Sequence, residues 1–153
     1  MSRDLLIFEL GKVREWTLSV FEGLETEDFH AVAAEFSNSL HWQLGHAATM
    51  MEQVTQALTD KNDETYQKYV KYFGYGTSPD DYDDETPEID EIEALLKGHP
   101  SRLEDVEEET LQQELPEPFM GMTTQEEMFG FTIMHEAMHV GKMQEMKRVM
   151  KNQ

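Results

Sequence analysis

The chain contains no cysteine. Disulfides, thiolate metal sites and cysteine nucleophiles are thereby excluded, so any metal must be held by His, Asp or Glu. Basic residues are scarce: 12 Lys and Arg stand against 32 Asp and Glu, a formal net charge of −20. Such a field repels phosphate backbones and argues against nucleic-acid binding by charge neutralisation. It does not by itself mark a cation site, because an acidic surface commonly serves solubility. No uninterrupted apolar stretch has the length of a signal or membrane segment. The N-terminal "MSRDLLIFELGKVREW" already carries charges at Arg3, Asp4, Glu9, Lys12, Arg14 and Glu15. A soluble cytoplasmic protein is expected, with no membrane partner. Strand-like alternation of useful length is missing too, as is any internal repeat.

What remains is helical. At 153 residues the chain is long enough for one domain, 1–153, with a core that needs no staples. Apolar positions Leu6, Leu10, Val13, Trp16 or Thr17, Val20 and Phe21 recur every three to four residues, which predicts a first amphipathic helix stopped near Gly23. Ser37 or Asn38 is placed to cap a second, "SLHWQLGHAATMMEQVTQALTD", with Gly45 inside it either as a point of close approach or without special role. A short aromatic helix, "ETYQKYVKYFGYG", ends at Gly74, and "TSPDDYDDETPE" is a long acidic loop broken by prolines. The third principal helix follows Pro87 and is kinked or split at "GHP", 98–100. "LPEPFMGM" reads as a connector. Thr124 and Glu127 then form a capping box for the last helix, whose inner face is expected to carry Met128, Phe131, His135, Met138, Lys142, Met146 and Val149. Four principal helices predict an all-α four-helix bundle.

"HEAMH", His135 to His139, has the form of the zinc-protease signature H-E-x-x-H. The extended protease pattern fails, because Lys142 stands where its glycine belongs and no later histidine follows. Glu145 lies about 240° further round the same helix and cannot face the same ion. His135 and His139 themselves, at i and i+4, can converge on one ion. The third ligand is sought across the bundle, at His46, with Trp42 and Met50 on its stripe. His46, His135 and His139 would form a three-histidine site with open positions. His41, about 140° from His46 round the helix, is not expected to share the ion. His30 and His99 are expected on the surface, in loops. Glu136 is a candidate general base, against the plainer reading of a solvent-facing or helix-pairing carboxylate. Zn²⁺ and Ni²⁺ suit imidazole best, with Fe²⁺ and Mn²⁺ compatible.

"HWQLGHAATM", in which His46 closes a W-x-x-G-H pattern, and "HEAMHVGKM" on the last helix resemble the DinB/YfiT-like superfamily. Their order and spacing agree over nearly the whole chain. The resemblance implies a four-helix bundle, often a homodimer, with a divalent metal on His46, His135 and His139. It also implies kinship with transferases and isomerases that use low-molecular-weight thiols. Lys142 departs from the glutamine common after the last motif's glycine. Two function classes compete with a metal-dependent enzyme: a metal-stapled bundle without chemistry, and a partner-binding bundle with empty histidines.

Overall fold

The computed structural model describes residues 2–59 and 63–152. Four long helices form the bundle: α1 (Ser2–Ser19), α3 (Leu40–Thr59), α5 (Ile89–Leu103) and α7 (Gln125–Lys151). Each packs on two others in a closed ring, α1 on α7, α7 on α3, α3 on α5 and α5 on α1. Short helices fill the connections: α2 (Thr26–His30), α4 (Thr65–Phe73) against α3, and α6 (Glu108–Leu111). Asp60, the expected last residue of the second helix, lies outside the described residues.

Several expectations are corrected. The cap of α3 is Ser39, whose Oγ accepts from the Trp42 amide, rather than Ser37 or Asn38. On α1 the inward side chain is Thr17, while Trp16 is exposed. Helix α5 runs unbroken through "GHP", and the split falls later, before α6. Pro100 removes the amide that would bond the Leu96 carbonyl. That carbonyl instead accepts from Arg14 Nη1, so the helix continues with its freed acceptor satisfied. "LPEPFMGM" is more than a connector: β1 (Glu114–Phe119) and β2 (Met122–Thr124) pair antiparallel. Met120 and Gly121 join them, both with positive φ (50° and 84°), as a two-residue primed hairpin turn requires. The Thr124–Glu127 capping box opens α7 as expected. The face of α7 follows expectation at Met146 but not at Met138 and Lys142, which are exposed. Its buried stripe is Phe129, Thr132, Ile133, Glu136, Val140, Met143 and Met146.

The apolar core forms two clusters. One contains Leu40, Leu44, Phe73, Leu96 and Met143; the other contains Leu10, Met51, Leu103, Leu111 and Phe129. Each bundle helix contributes a buried polar residue near where the two clusters meet: Arg14, Glu52, His99 and Glu136. They form one connected layer. Arg14 Nε and Nη2 donate to the two oxygens of Glu136 at 2.8 and 3.0 Å, and the Thr17 hydroxyl donates to Glu136 Oε1 at 2.6 Å. Arg14 Nη1 also donates to His99 Nδ1 at 3.1 Å, which leaves His99 Nε2–H to donate to Glu52 at 2.8 Å. Arg102 and Gln56 complete the shell of Glu52. His99 is therefore fully buried at the centre of the bundle, not on the surface.

Burial lowers the His99 imidazole to about 4, against the pull of its Glu52 bond. Glu52 is held at about 2: burial raises it, and the bonds from His99, Arg102 and Gln56 outweigh that. Both groups bind protons more readily unfolded, so both favour the folded state at neutral pH and lose that contribution on acidification. For His99 the window runs from 6.5 down to about 4, and for Glu52 from 4.5 down to about 2. At about 1.4 kcal/mol per pKa unit, His99 alone should remove roughly 3 kcal/mol. Urea midpoints of metal-free protein should fall steeply between these limits, and less so in His99→Gln, whose amide can replace both bonds. Equal slopes for the two proteins would refute this.

Gly45 holds the approach of α4. A Cβ there would stand 2.5–2.7 Å from the Phe73 ring. Gly45→Ala gains about 1 kcal/mol of helix propensity but overpacks the core, at roughly 1–3 kcal/mol. A net loss of stability in chemical denaturation is expected; a net gain would show that Phe73 yields freely.

Candidate metal centre

Helix α3 presents His46 and α7 presents His135 and His139, one turn apart. His46 is buried and the other two are half-buried. Their Nε2 atoms converge: His135 Nε2 lies 3.4 Å from that of His46 and 3.2 Å from that of His139. Each can offer a ligand atom to a common point.

The surrounding bonds fix which nitrogen carries the proton. His46 Nδ1 lies 2.7 Å from the Phe73 carbonyl, an acceptor only, so Nδ1 carries hydrogen and Nε2 a lone pair. His139 Nδ1 lies 2.6 Å from Gln43 Oε1 and is fixed the same way. Gln43 is held in that orientation because its amide donates to Asn38 Oδ1 at 2.9 Å. Two lone pairs therefore point at His135 Nε2, and a proton there could satisfy only one of them. A cation satisfies all three. With nitrogen-to-metal bonds of about 2.0–2.1 Å, the edge of a tetrahedron is about 3.3–3.4 Å. The two close separations match this, so the residues fit a divalent ion.

Electrostatics agree. Burial lowers the pKa of His46 and His135, and holds His139 at about 3, with the neighbouring imidazoles adding to it. All three are neutral at pH 7, the form that binds metal. Trp42 stacks on His46 at 4.8 Å with its ring 8° from parallel, and its indole N–H donates to Thr77 Oγ1 at 3.0 Å. Phe131 lies over His135 at 6.2 Å and 29°. Such outer bonds commonly contribute 10- to 100-fold in metal affinity. Gln43→Ala should therefore weaken metal binding by about that factor, with His139 free to turn. Competition titration against a chelating dye measures it, and an unchanged affinity would remove Gln43 from the site.

The remaining candidates lie elsewhere. His41 Nε2 bonds the Pro87 carbonyl at 2.8 Å, away from the three, and His30 is exposed beside it. Glu145 pairs with Arg148 on the surface. Glu136, neighbour of His135 in sequence, has both oxygens engaged by Arg14 and Thr17 in the buried layer. Gln43 went unrecognised in the sequence, although it sits one turn before His46.

A cavity of about 770 Å³ adjoins the histidines, with His46 and His135 in its wall. Met50 and Val54 of α3, Met128 of α7 and Phe119 of the hairpin enclose it. Ligand sites commonly span about 300–1,000 Å³.

A helical bundle with three imidazoles converging from two of its helices, beside a ligand-sized cavity, is compatible with metal binding. A family model described as the DinB superfamily matches residues 9–143, and the chain belongs to that superfamily. No curated relative matches the chain. Among the described residues no helix is long and apolar enough to cross a membrane.

Proposed function

We propose that this protein is a divalent-metal-dependent enzyme acting on a small molecule, of thiol S-transferase or hydrolase type. His46, His135 and His139 would hold Zn²⁺ or Ni²⁺. One observation carries the proposal: two of the three histidines form part of the wall of a ligand-sized cavity, so an ion between them would meet whatever enters. A divalent ion on three neutral ligands keeps its full charge and lowers the pKa of a coordinated water or thiol. The chain's own residues supply the rest. Phe73 and Gln43 orient the ligands, Trp42 and Phe131 pack on the imidazoles, and the apolar walls exclude water.

In this reading Glu136 is a holding residue rather than a base, since its oxygens already accept three hydrogen bonds. The proposal includes a homodimer. Leu5, Phe8 and Trp16 of α1, with Met134 and Met138 of α7, are exposed apolar side chains on adjoining helices that a second copy could cover. A second reading, an ion that only staples α3 to α7, draws on the same cross-helix geometry.

The test is turnover of small thiols with electrophiles, and of esters, by purified protein. Activity lost on chelation and restored by Zn²⁺ or Ni²⁺ supports the enzyme. Thermal stabilisation by metal with no turnover across both panels favours the staple.

A further inference from the structure

The cavity beside the histidines has a chemistry of its own. Along its length the walls are hydrocarbon, thioether and aromatic: Met50 and Val54 from α3, Met128 and Phe131 from α7. The hairpin adds Leu115, Pro116, Phe119 and Met120. Among the described residues no lysine or arginine lines it, and the one carboxylate that does is Glu117. Gln53, Tyr75, Gln125 and Thr132 add polar groups to the lining, and the two imidazoles in its wall are His46 and His135.

The hairpin is built over this space. Phe119 is 48% exposed and Met120 75% exposed although both are apolar and both line the cavity. The Phe119 ring meets Phe131 edge-on at 6.2 Å, and Phe131 in turn lies over His135. A continuous apolar path thus runs from the hairpin to a histidine of the site. Away from the histidine end, an anionic ligand would have to shed its water against these walls with no side-chain cation of the described residues to meet it. It would also enter the field of a chain with net charge −20.

We infer that the cavity takes an uncharged, predominantly apolar small molecule, with a polar group at one end, and that the β1–β2 hairpin is the element that selects it. A carboxylate is disfavoured along the apolar walls, away from the histidine end. Flexible thioethers and aromatic faces accommodate ring systems of varied shape. The inference rests on the metal-enzyme reading only for which end of the ligand faces His46 and His135; the apolar selectivity stands without it.

Two probes with the same naphthyl–anilino skeleton test it: neutral N-phenyl-1-naphthylamine and its sulfonated analogue, 8-anilinonaphthalene-1-sulfonate. Fluorescence titrations are made on protein as purified and on chelated protein. Salt of about 1 M shortens the Debye length to about 3 Å and removes the general field of the acidic surface. The neutral probe should bind once per chain, at least about tenfold tighter than the sulfonate. Phe119→Ala, at a half-exposed position, should weaken it roughly fivefold or more while the far-ultraviolet helical signal stays unchanged. Gln53→Lys, an exposed cavity residue on α3, should narrow the preference by offering the sulfonate a cation. Equal affinity for the two probes, absence of neutral-probe binding, or indifference to both Phe119→Ala and Met120→Ala would overturn the inference. Metal content is measured on the same samples. Loss of probe binding with metal retained defeats the cavity proposal alone, and probe binding with no metal ever retained defeats the metal proposal alone.

Discussion

Replacing Arg14 by methionine is expected to destabilise the bundle by about 3–5 kcal/mol, a large fraction of the 5–15 kcal/mol typical of a domain. Methionine keeps most of the volume but none of the donors. Arg14 serves four acceptor atoms on two other helices: both oxygens of Glu136, the ring nitrogen of His99, and the Leu96 carbonyl freed by Pro100. Its removal leaves the Glu136 charge buried, with Thr17 as its remaining side-chain partner. The burial penalty of an unmatched carboxylate, rather than the lost attraction, dominates the effect. Arg14→Met combined with Glu136→Met should recover part of the loss, since the unpaired charge is gone while the His99 and Leu96 acceptors stay unmet. Urea denaturation of the two single variants and the double variant measures the coupling. Glu136→Gln should lower stability yet keep the metal. If it removed the metal at unchanged stability, Glu136 would belong to the site rather than to the layer that joins the helices.

Metal should raise the melting temperature on the order of 10 °C. An ion that binds only the folded chain, at about 1,000 times its dissociation constant, contributes about 4 kcal/mol. For a domain of this size each kcal/mol moves the midpoint by about 2–4 °C. The arrangement favours a strong effect because the three Nε2 atoms already face one another with two tautomers fixed, so little ordering remains to be done. His139→Ala should abolish the shift while leaving the metal-free protein folded, because His139 is only half-buried and bonds no residue of the core layer. A shift that persists in His139→Ala would place the ion elsewhere.

The bundle was legible because its four long helices carry apolar residues at regular three- and four-residue intervals, and because Thr124–Glu127 and Gly74 are strong local signals. The three histidines were legible because an all-oxygen-and-nitrogen ligand set leaves few residues able to complete an i, i+4 pair. What escaped has specific causes. Arg14 and Glu52 carry no local signal of burial, His99 was expected on the surface, and Glu136 was read as either solvent-facing or helix-pairing; their partners lie 47 to 122 residues away, where no local pattern reaches. His99 was further disguised by Pro100, which marks a helix break unless something takes up the freed carbonyl. The face of α7 was blurred by methionine, present on its exposed side at Met134 and Met138 and its buried side at Met143 and Met146. The hairpin was hidden by Pro116 and Pro118, which argue against a strand except at an edge, where β1 in fact lies.

The three-histidine centre is tested most directly by elemental analysis of protein purified without added metal, alongside His46→Ala and His139→Ala prepared identically. About one divalent ion per chain is expected in the unaltered protein, falling below about a tenth of that in each variant, as loss of one of three protein ligands should cause. An ion that stays stoichiometric in both variants would contradict the site.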